Sequence, residues 1–526
     1  VKFFSFFQKI GFIERKERIW CAAVFFVTYV VYLLTLYPTV TTEDAGEFST
    51  AVLTLGIAHP PGYPLYVIAG KIFTLLIPFG NMAWKVNLFS AFCGAVAAVF
   101  FYLCVKVFTR NNALSFLGAI LFAFGSIFWS QAIRAEVYTF NAVLLLLIFL
   151  LLVRWHEQRH EFSGSESQSL LFFAAFLFGL SLGNHHLMLM AAMPFLLFAI
   201  LSAPDLFKDW KFWLKGILFF GLGLAIYLYL PIRASMNPSF NWGNPSTWEN
   251  FWNHVTRKLY YSTGVDASLH LQAPSGQNSA DVFSGSWLGD FGRYHVWQMF
   301  LYTLQHFAED YFWGLLLFVP SGFWWFWKKS KPYFWLFAAL FVFYGFVLSK
   351  LLGLGFVDKL PIDFFKDRPF YIPILLVVCF LSVVGIHDVS QKFSGRIARI
   401  FTYVILGGTT IFILFFHFPV QNQSGNYVAH DLAGMALTVL PQNAVYIVQN
   451  SDNTLFPVLY LNKVEGLRKD VRFYIPSPIH VYDFFTDLES VIRENPGRRI
   501  FTDFPFTDYA GKTYDYLGPV SEIVDG

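Results

Sequence analysis

Thr41-Thr42-Glu43-Asp44-Ala45-Gly46-Glu47-Phe48 is the first place in this chain where carboxylates crowd together without basic neighbours, and Ala58-His59-Pro60-Pro61-Gly62-Tyr63 follows closely. Two nearby carboxylates suit general-base work, because the charge of one raises the pKa of the other. Thr41 or Thr42 can cap a helix whose first turn holds Glu43 and Asp44, and Gly56 can end it. On that helix Asp44, Glu47, Ala51 and Thr54 share one face, while Phe48, Val52 and Leu55 share another. Asp44 and Glu47 then point together, above an apolar face suited to a membrane surface. Gly46 costs such a helix about 1 kcal/mol relative to alanine, which close approach of a substrate would explain. His59-Pro60-Pro61-Gly62 predicts a rigid turn, and Tyr63 to Pro78 a second interfacial helix. Helix capping by Glu43 and Asp44, with a solvated Glu47, accounts for the same acids without any chemistry.

The elements that must hold these residues belong to a membrane chain. Of 526 residues 56% are hydrophobic and only 13% charged, with a mean hydropathy of +0.51, whereas a soluble domain carries about 25% charged residues. The net charge of +3 is too small to mark a nucleic-acid surface, and the basic excess reads instead as topology. Cys21, Cys93, Cys104 and Cys379 lie in or beside apolar runs without metal-ligand spacing. Lys2, Lys9, Arg15, Lys16 and Arg18 precede the first apolar run, which reads as a signal anchor retained as a span, with the N-terminus cytoplasmic. Apolar runs near 19–38, 84–107, 113–131, 137–153, 170–183, 187–203, 216–231, 309–327, 333–350, 369–386 and 400–418 predict about eleven spans. Every inner loop of that arrangement is basic, which places 39–83 and 233–308 outside, the latter ending in a surface helix over 294–308, together with a loop over 351–367. After Val420 the pattern changes to a helix (427–440), a strand (444–448), a helix (453–464) and a strand (471–475). The fold expected is mainly α: a polytopic transmembrane module over 1–420 and a small extracytoplasmic α/β domain over 421–526.

Several stretches are similar to known proteins. An acidic first outer loop with short interfacial helices resembles the GT-C superfamily of integral-membrane glycosyltransferases. More closely, the chain resembles a family of bacterial membrane proteins whose animal member is a protein O-mannosyltransferase acting on plexin-type receptor domains. The matching residues are Asp44-Ala45-Gly46-Glu47 with His59-Pro60-Pro61-Gly62-Tyr63-Pro64-Leu65-Tyr66; Gln131 through Arg134, Glu136 and Tyr138; Gly183-Asn184-His185-His186; Leu230-Pro231-Ile232-Arg233-Ala234 through Asn237-Pro238 and Asn241-Trp242-Gly243; His254-Val255-Thr256-Arg257-Lys258; and Asn450-Ser451-Asp452-Asn453-Thr454 with Phe456-Pro457. Protein O-mannosyltransferases also carry His-Pro-Pro in this loop, and some family members continue well past the end of this chain. The resemblance implies transfer of a sugar, mannose at the level of the family, from a polyprenyl-phosphate carrier to an acceptor hydroxyl, that of a protein Ser/Thr, outside a bacterial inner membrane. It implies inversion, with Asp44 as base and Glu47 supporting it or holding the acceptor. The partners implied are the carrier-linked sugar, a secreted or membrane protein acceptor and the bilayer, with no nucleic acid.

A lipid-phosphate leaving group needs cations on the outer side. The outer cations are Arg134, Arg233, Arg257, Lys258, Lys350, Lys359, Lys366 and Arg368. Arg233 and Arg368 sit beside Pro at helix ends; snorkelling explains each singly, and the set as a whole is expected to supply at least one phosphate ligand. Glu136 either pairs with Arg134 or lines the cavity. Asn184, His185 and His186 are read as hydrogen-bonding the sugar or carrier. A divalent metal there is the minor reading, because adjacent histidines on a helix diverge, and no cofactor is assigned. Trp242 and Trp248 can stack on a sugar or anchor at the interface, and Asp452 and Asn453 can cap a helix. His59, Tyr138, Asn237 and His254 are further substrate contacts carried by the resemblance. A transporter or flippase of lipid-linked glycans is the alternative from another class, but it calls for paired charges inside spans, and the spans here are nearly charge-free. A scaffold whose outer domain binds a partner would leave the first-loop acids dispensable.

Overall fold

Long runs of Phe, Leu, Val and Ala without turn residues give the chain its helices, and loop prolines and asparagines separate them. The computed structural model describes residues 17–159, 164–258, 305, 307, 310–311, 313–348, 368–393, 395–448, 451–475, 483–484, 488–503 and 512–525. In chain order the helices are α1 (Glu17–Thr35), α2 (Asp44–Thr54), α3 (Pro64–Leu76), α4 (Met82–Thr109), α5 (Asn112–Ala123), α6 (Ser126–Ala132), α7 (Tyr138–Gln158), α8 (Gly164–Leu182), α9 (Leu189–Ser202), α10 (Trp210–Leu224), α11 (Tyr229–Ser235) and α12 (Trp248–Val255). They continue with α13 (Val319–Lys329), α14 (Lys331–Val342), α15 (Ile372–Ser390), α16 (Gly395–Gln421) and α17 (Val428–Val439). The remainder is β1 (Val445–Ile447), α18 (Ser451–Lys463), β2 (Arg472–Ile475), β3 (Asp483–Phe484), α19 (Leu488–Glu494), β4 (Ile500–Thr502), β5 (Lys512–Tyr516) and β6 (Ser521–Asp525).

Six helical runs among the described residues are long and apolar enough to cross a membrane: α1, α4, α7, Trp210–Ser235, Pro369–Ser390 and α16. The pair α5–α6, bent by 72°, makes a seventh if it is one broken span. The expected count of about eleven is therefore not reached by length. The runs expected at 170–183, 187–203 and 333–350 are the shorter apolar helices Gln168–Leu182, His186–Ser202 and Lys331–Val347. The run expected at 309–327 breaks into a 3₁₀ stretch, Trp313–Phe318, and then α13. A helix of about fifteen residues rises roughly 22 Å, short of a hydrocarbon layer of about 30 Å. The basic residues 1–16, the loop over 351–367 and nearly all of the surface helix expected at 294–308 lie outside the described residues.

Helices α4 and α15 are apolar on all sides and stand at the centre of the bundle, with 83% and 94% of their spanning windows buried. Elsewhere small residues let helices touch backbone to backbone: Gly179 of α8 against Gly223 of α10, and Gly322 of α13 against Gly385 of α15. After α16 the expected strands and helices are all present. They build a six-stranded sheet in the order β3-β2-β1-β4-β6-β5, with β1 parallel to β2 and β4, and β6 antiparallel to β4 and β5.

This last unit is docked on α2 and the start of α4. A Cβ on Gly46 would stand 2.9 Å from the backbone carbon of Phe456, so α2 and α18 cross at Gly46 in direct contact. Close helix packing, not substrate approach, therefore accounts for this glycine. Tyr460 of α18 accepts a hydrogen bond from the Ala83 backbone N–H at 3.0 Å, fixing the same unit to the start of α4.

Candidate active site

Helix α2 has unusual ends. Its N-terminal boundary is Glu43, at φ 60° and without a side-chain cap, in place of the threonine cap expected from the sequence. The Glu43 N–H is bonded to Asn453 Oδ1 at 3.3 Å, and its carboxylate meets Arg134 at 2.8 Å. Arg134 thus pairs with Glu43 and not with Glu136. At the other end Leu55, not Gly56, takes the left-handed conformation, and Gly56 is instead pressed against Phe240. The last carbonyls of α2 are capped from other helices. Lys71 of α3 donates to Leu53 O at 2.6 Å, Arg233 of α11 to Leu55 O at 2.8 Å and Thr54 O at 3.3 Å, and Tyr229 to Gly56 O at 3.0 Å.

Asp44 is half-buried, and its carboxylate has no hydrogen bond or ion pair among the described residues. Burial raises its pKa above the usual carboxylate value; His59 opposes the shift, and Glu47 and Glu43 add to it. Glu47 is fully buried and engaged: Oε1 accepts from the His59 backbone N–H at 2.6 Å and Oε2 from His59 Nδ1 at 2.7 Å. His59 Nε2 lies 2.8 Å from the Tyr63 hydroxyl, which also accepts from Arg257 at 3.2 Å. Ligand atoms of Asp44, Glu47 and His59 all lie within 4.8 Å of one another, the one group among the described residues with the composition to hold a cation. Occupation by a metal would have to compete with the bonds Glu47 and His59 already make.

Glu136, in the turn between α6 and α7, is 4% exposed, and its carboxyl also lacks a hydrogen bond or ion pair among the described residues. Burial pushes it up to about 8; Arg134 opposes this, and the charges of Asp44 and Glu43 add to it. Its backbone is fixed by Ser90, whose hydroxyl accepts from Glu136 N–H at 3.1 Å. Tyr138 follows, with its ring 5.5 Å from that of His185, and Tyr63 lies 5.8 Å from the same ring. His185 Nδ1 accepts from Leu187 N–H at 2.9 Å, and burial, with Arg257 nearby, holds this imidazole well below its usual value. His186 turns the other way, to the Tyr227 hydroxyl at 2.8 Å, and Asn184 donates to Val137 O at 3.2 Å. Beside Tyr138 lies a shallow apolar crevice walled by Asn141, Leu145, Leu187, Ile372 and Leu376.

The remaining candidates mostly hold the His59 turn. Phe240 O accepts from Ile57 N–H at 2.9 Å, and Trp242 packs 6.0 Å from the His59 ring. His254, fully buried on α12, donates to Ala58 O at 3.1 Å. Asn237 is an exposed turn residue at φ 48°, and Lys258 is exposed. Arg368 begins a 3₁₀ turn, but its side chain, like Asp452, Lys350, Lys359 and Lys366, lies outside the described part of the molecule. Two participants were not singled out from the sequence: Tyr63, four residues after His59 in the same motif, and Asn453 as the partner of Glu43.

Residues 44–208 match the family model described as the protein O-mannosyl-transferase TMEM260 N-terminal domain. The chain is 27% identical over 495 residues to protein O-mannosyl-transferase tmem260 of Dictyostelium discoideum, covering 87% of this chain and 57% of the relative. It is 26% identical over 492 residues to protein O-mannosyl-transferase TMEM260 of Mus musculus, covering 90% of this chain and 64% of that protein. It thus spans less than two thirds of the length of either. Among solved structures, ArnT from Cupriavidus metallidurans, in the apo state and bound to undecaprenyl phosphate, superposes with a TM-score of 0.55 at 12% identity, covering 97% of this chain and 98% of ArnT. An Archaeoglobus fulgidus oligosaccharyltransferase, in a complex with Zn and sulfate, gives 0.51 at 12% identity over 91% of this chain and 68% of that one. At such identity the structural likeness is one of fold, and the family resemblance read from the sequence is the one the sequence matches give.

Proposed function

We propose that the protein is an inverting membrane glycosyltransferase that moves a mannose-type sugar from a polyprenyl-phosphate carrier to an acceptor hydroxyl, of a protein Ser or Thr. The observation that carries this reading is Asp44: a half-buried carboxylate, raised in pKa and left without a protein partner among the described residues, beside the buried Glu47–His59 pair. The names of the curated relatives and the lipid phosphate in the ArnT structure support the choice of sugar and carrier.

In this reaction the acceptor hydroxyl loses its proton to the Asp44 carboxylate as its oxygen bonds to the anomeric carbon. The bond from that carbon to the phosphate oxygen breaks on the opposite face, and the carrier leaves as a lipid phosphate. Arg257 faces that phosphate, on the side lined by Tyr138 and His185. Arg134 is committed to Glu43 and holds the start of α2. The site lies on the extracytoplasmic face, with the N-terminus in the cytoplasm of a cell with a bacterial inner membrane and the C-terminal α/β unit outside. Asp44→Asn is expected to lower transfer from polyprenyl-phosphate mannose by about 10²–10⁴-fold, the usual worth of a positioned general base. Full activity in a folded Asp44→Asn protein would overturn the assignment.

A further inference from the structure

One network in the site runs from a cation to a buried carboxylate. Arg257 can only donate, so the Tyr63 oxygen accepts from it at 3.2 Å. With His59 neutral, the Tyr63 proton goes to His59 Nε2, at 2.8 Å. With Nε2 accepting, the imidazole carries its proton on Nδ1 and donates to Glu47 Oε2 at 2.7 Å. The second Glu47 oxygen holds the backbone of the same histidine at 2.6 Å. A buried carboxylate thus ends a chain of hydrogen bonds that begins at a guanidinium, and the low dielectric strengthens each link.

Both ends of the chain are also anchored through the backbone. Gly62 N–H bonds to His59 O at 2.7 Å and closes the turn that carries His59 and Tyr63. Gly62 itself is at φ 93°, with Leu230 where a Cβ would go, so only glycine fits there. Arg257 follows α12 in the left-handed conformation, φ 58°, with its N–H on His254 O at 3.2 Å. His254 in turn is bonded to Ala58, the residue before His59. The loop that carries the cation and the loop that carries the histidine are therefore fastened together, and Tyr63 sets the last few ångströms.

We propose that Glu47, His59 and Tyr63 are positioning residues for the donor: through the Tyr63 hydroxyl they fix the guanidinium of Arg257 where it meets the carrier phosphate. Glu47 then serves the donor and not the acceptor, and Asp44 is the only carboxylate of α2 that works as a base. The proposal rests on the transferase reading above, so its test reads binding and needs no turnover.

The probe is undecaprenyl phosphate, titrated into the purified full chain in nanodiscs. Tyr63→Phe removes one oxygen and keeps the ring against Phe48, 5.0 Å away. It is expected to weaken binding about tenfold, the worth of one hydrogen bond to a charged group. Arg257→Ala is expected to weaken it further, and adding Tyr63→Phe to Arg257→Ala is expected to change nothing more, because the tyrosine acts only through the arginine. His59→Gln is expected to match Tyr63→Phe. Wild-type affinity in folded Tyr63→Phe, losses that simply add in the double variant, or a wild-type chain that does not bind the probe would each overturn the proposal. So would probe binding that is abolished by a chelator and restored by a divalent cation, since Glu47 and His59 would then be metal ligands. Failure of the transferase reading looks different: the probe binds as expected, yet no carrier-linked sugar is turned over.

Discussion

Arg233 is where the sequence and the structure point to different jobs, and the difference can be measured. Beside Pro231 at a helix end, it reads as a candidate phosphate ligand. In the structure its Nε donates to Leu55 O at 2.8 Å and a terminal nitrogen to Thr54 O at 3.3 Å, closing the C-terminal end of α2. A hydrogen bond from a charged donor is worth about 1.5–3 kcal/mol. The shorter bond counts in full and the longer one for roughly half. Arg233→Met, which keeps most of the apolar stem, should therefore cost the last turn of α2 about 2–4 kcal/mol of local stability. At 1.4 kcal/mol per factor of ten, amide exchange in a peptide covering 44–56 should accelerate by roughly 30- to 1,000-fold. The assay is hydrogen–deuterium exchange by mass spectrometry on the detergent-solubilised chain, with peptides from α15 as the internal reference. Unchanged protection over 44–56 together with weakened undecaprenyl-phosphate binding would refute the capping role and restore the phosphate role.

Two further outcomes follow from the same geometry. Burial raises Glu136 to about 8, so it is protonated below that pH and ionised above it; its new negative charge should then repel the carrier phosphate, and the apparent affinity for undecaprenyl phosphate should fall above about pH 8 in the wild type but not in Glu136→Gln. The same pH profile in both would refute this. Gly46→Ala gains about 1 kcal/mol of helix propensity in isolation, but places a methyl group 2.9 Å from the Phe456 backbone, and overpacking of this kind costs about 1–3 kcal/mol; the net effect should be faster proteolytic release of the C-terminal unit, and a variant as resistant as wild type would show that α2 and α18 do not need their contact.

The sequence reveals the helices better than it reveals their lengths. Hydropathy locates each apolar segment, because burial against lipid or protein demands the same residues. It cannot say that 309–327 would break into a 3₁₀ stretch and a short helix, since both are equally apolar. In the C-terminal unit the alternation of strand and helix is legible because Pro441 and Gly466 punctuate it. In the site, the spacing of Asp44 and Glu47 places both on α2, and the structure gives them different surroundings. What divides them is His59, twelve residues on, whose return to Glu47 depends on a turn held by Phe240, Leu230 and His254. Contacts between loops so distant in sequence leave no periodicity to read. The same is true of Gly46: a glycine in a helix signals a close approach, but only the fold shows that Phe456 is what approaches.

The charge of the assembled site explains why its two unpartnered carboxyls stay apart in role. Glu43, Asp44, Glu47 and Glu136 face the one guanidinium of Arg134, with His59 beside them, so full ionisation would leave an excess of negative charge in a largely buried space. Such a cluster lowers its energy by keeping a proton, and Glu136, the more enclosed of the two unpartnered acids, is the one pushed to about 8. Asp44, less enclosed than Glu136, is on the proposed reading the group that receives the acceptor's proton. In that proposed step the acid side of the site becomes one charge less negative as the departing phosphate becomes one charge more negative, and the negative charge shifts from Asp44 toward Arg257. A site with both carboxyls ionised would oppose the arriving phosphate, and one with both protonated would have no base. Under the proposed reaction, a proton held on Glu136 lowers the repulsion that the arriving phosphate would meet while Asp44 is kept for the acceptor.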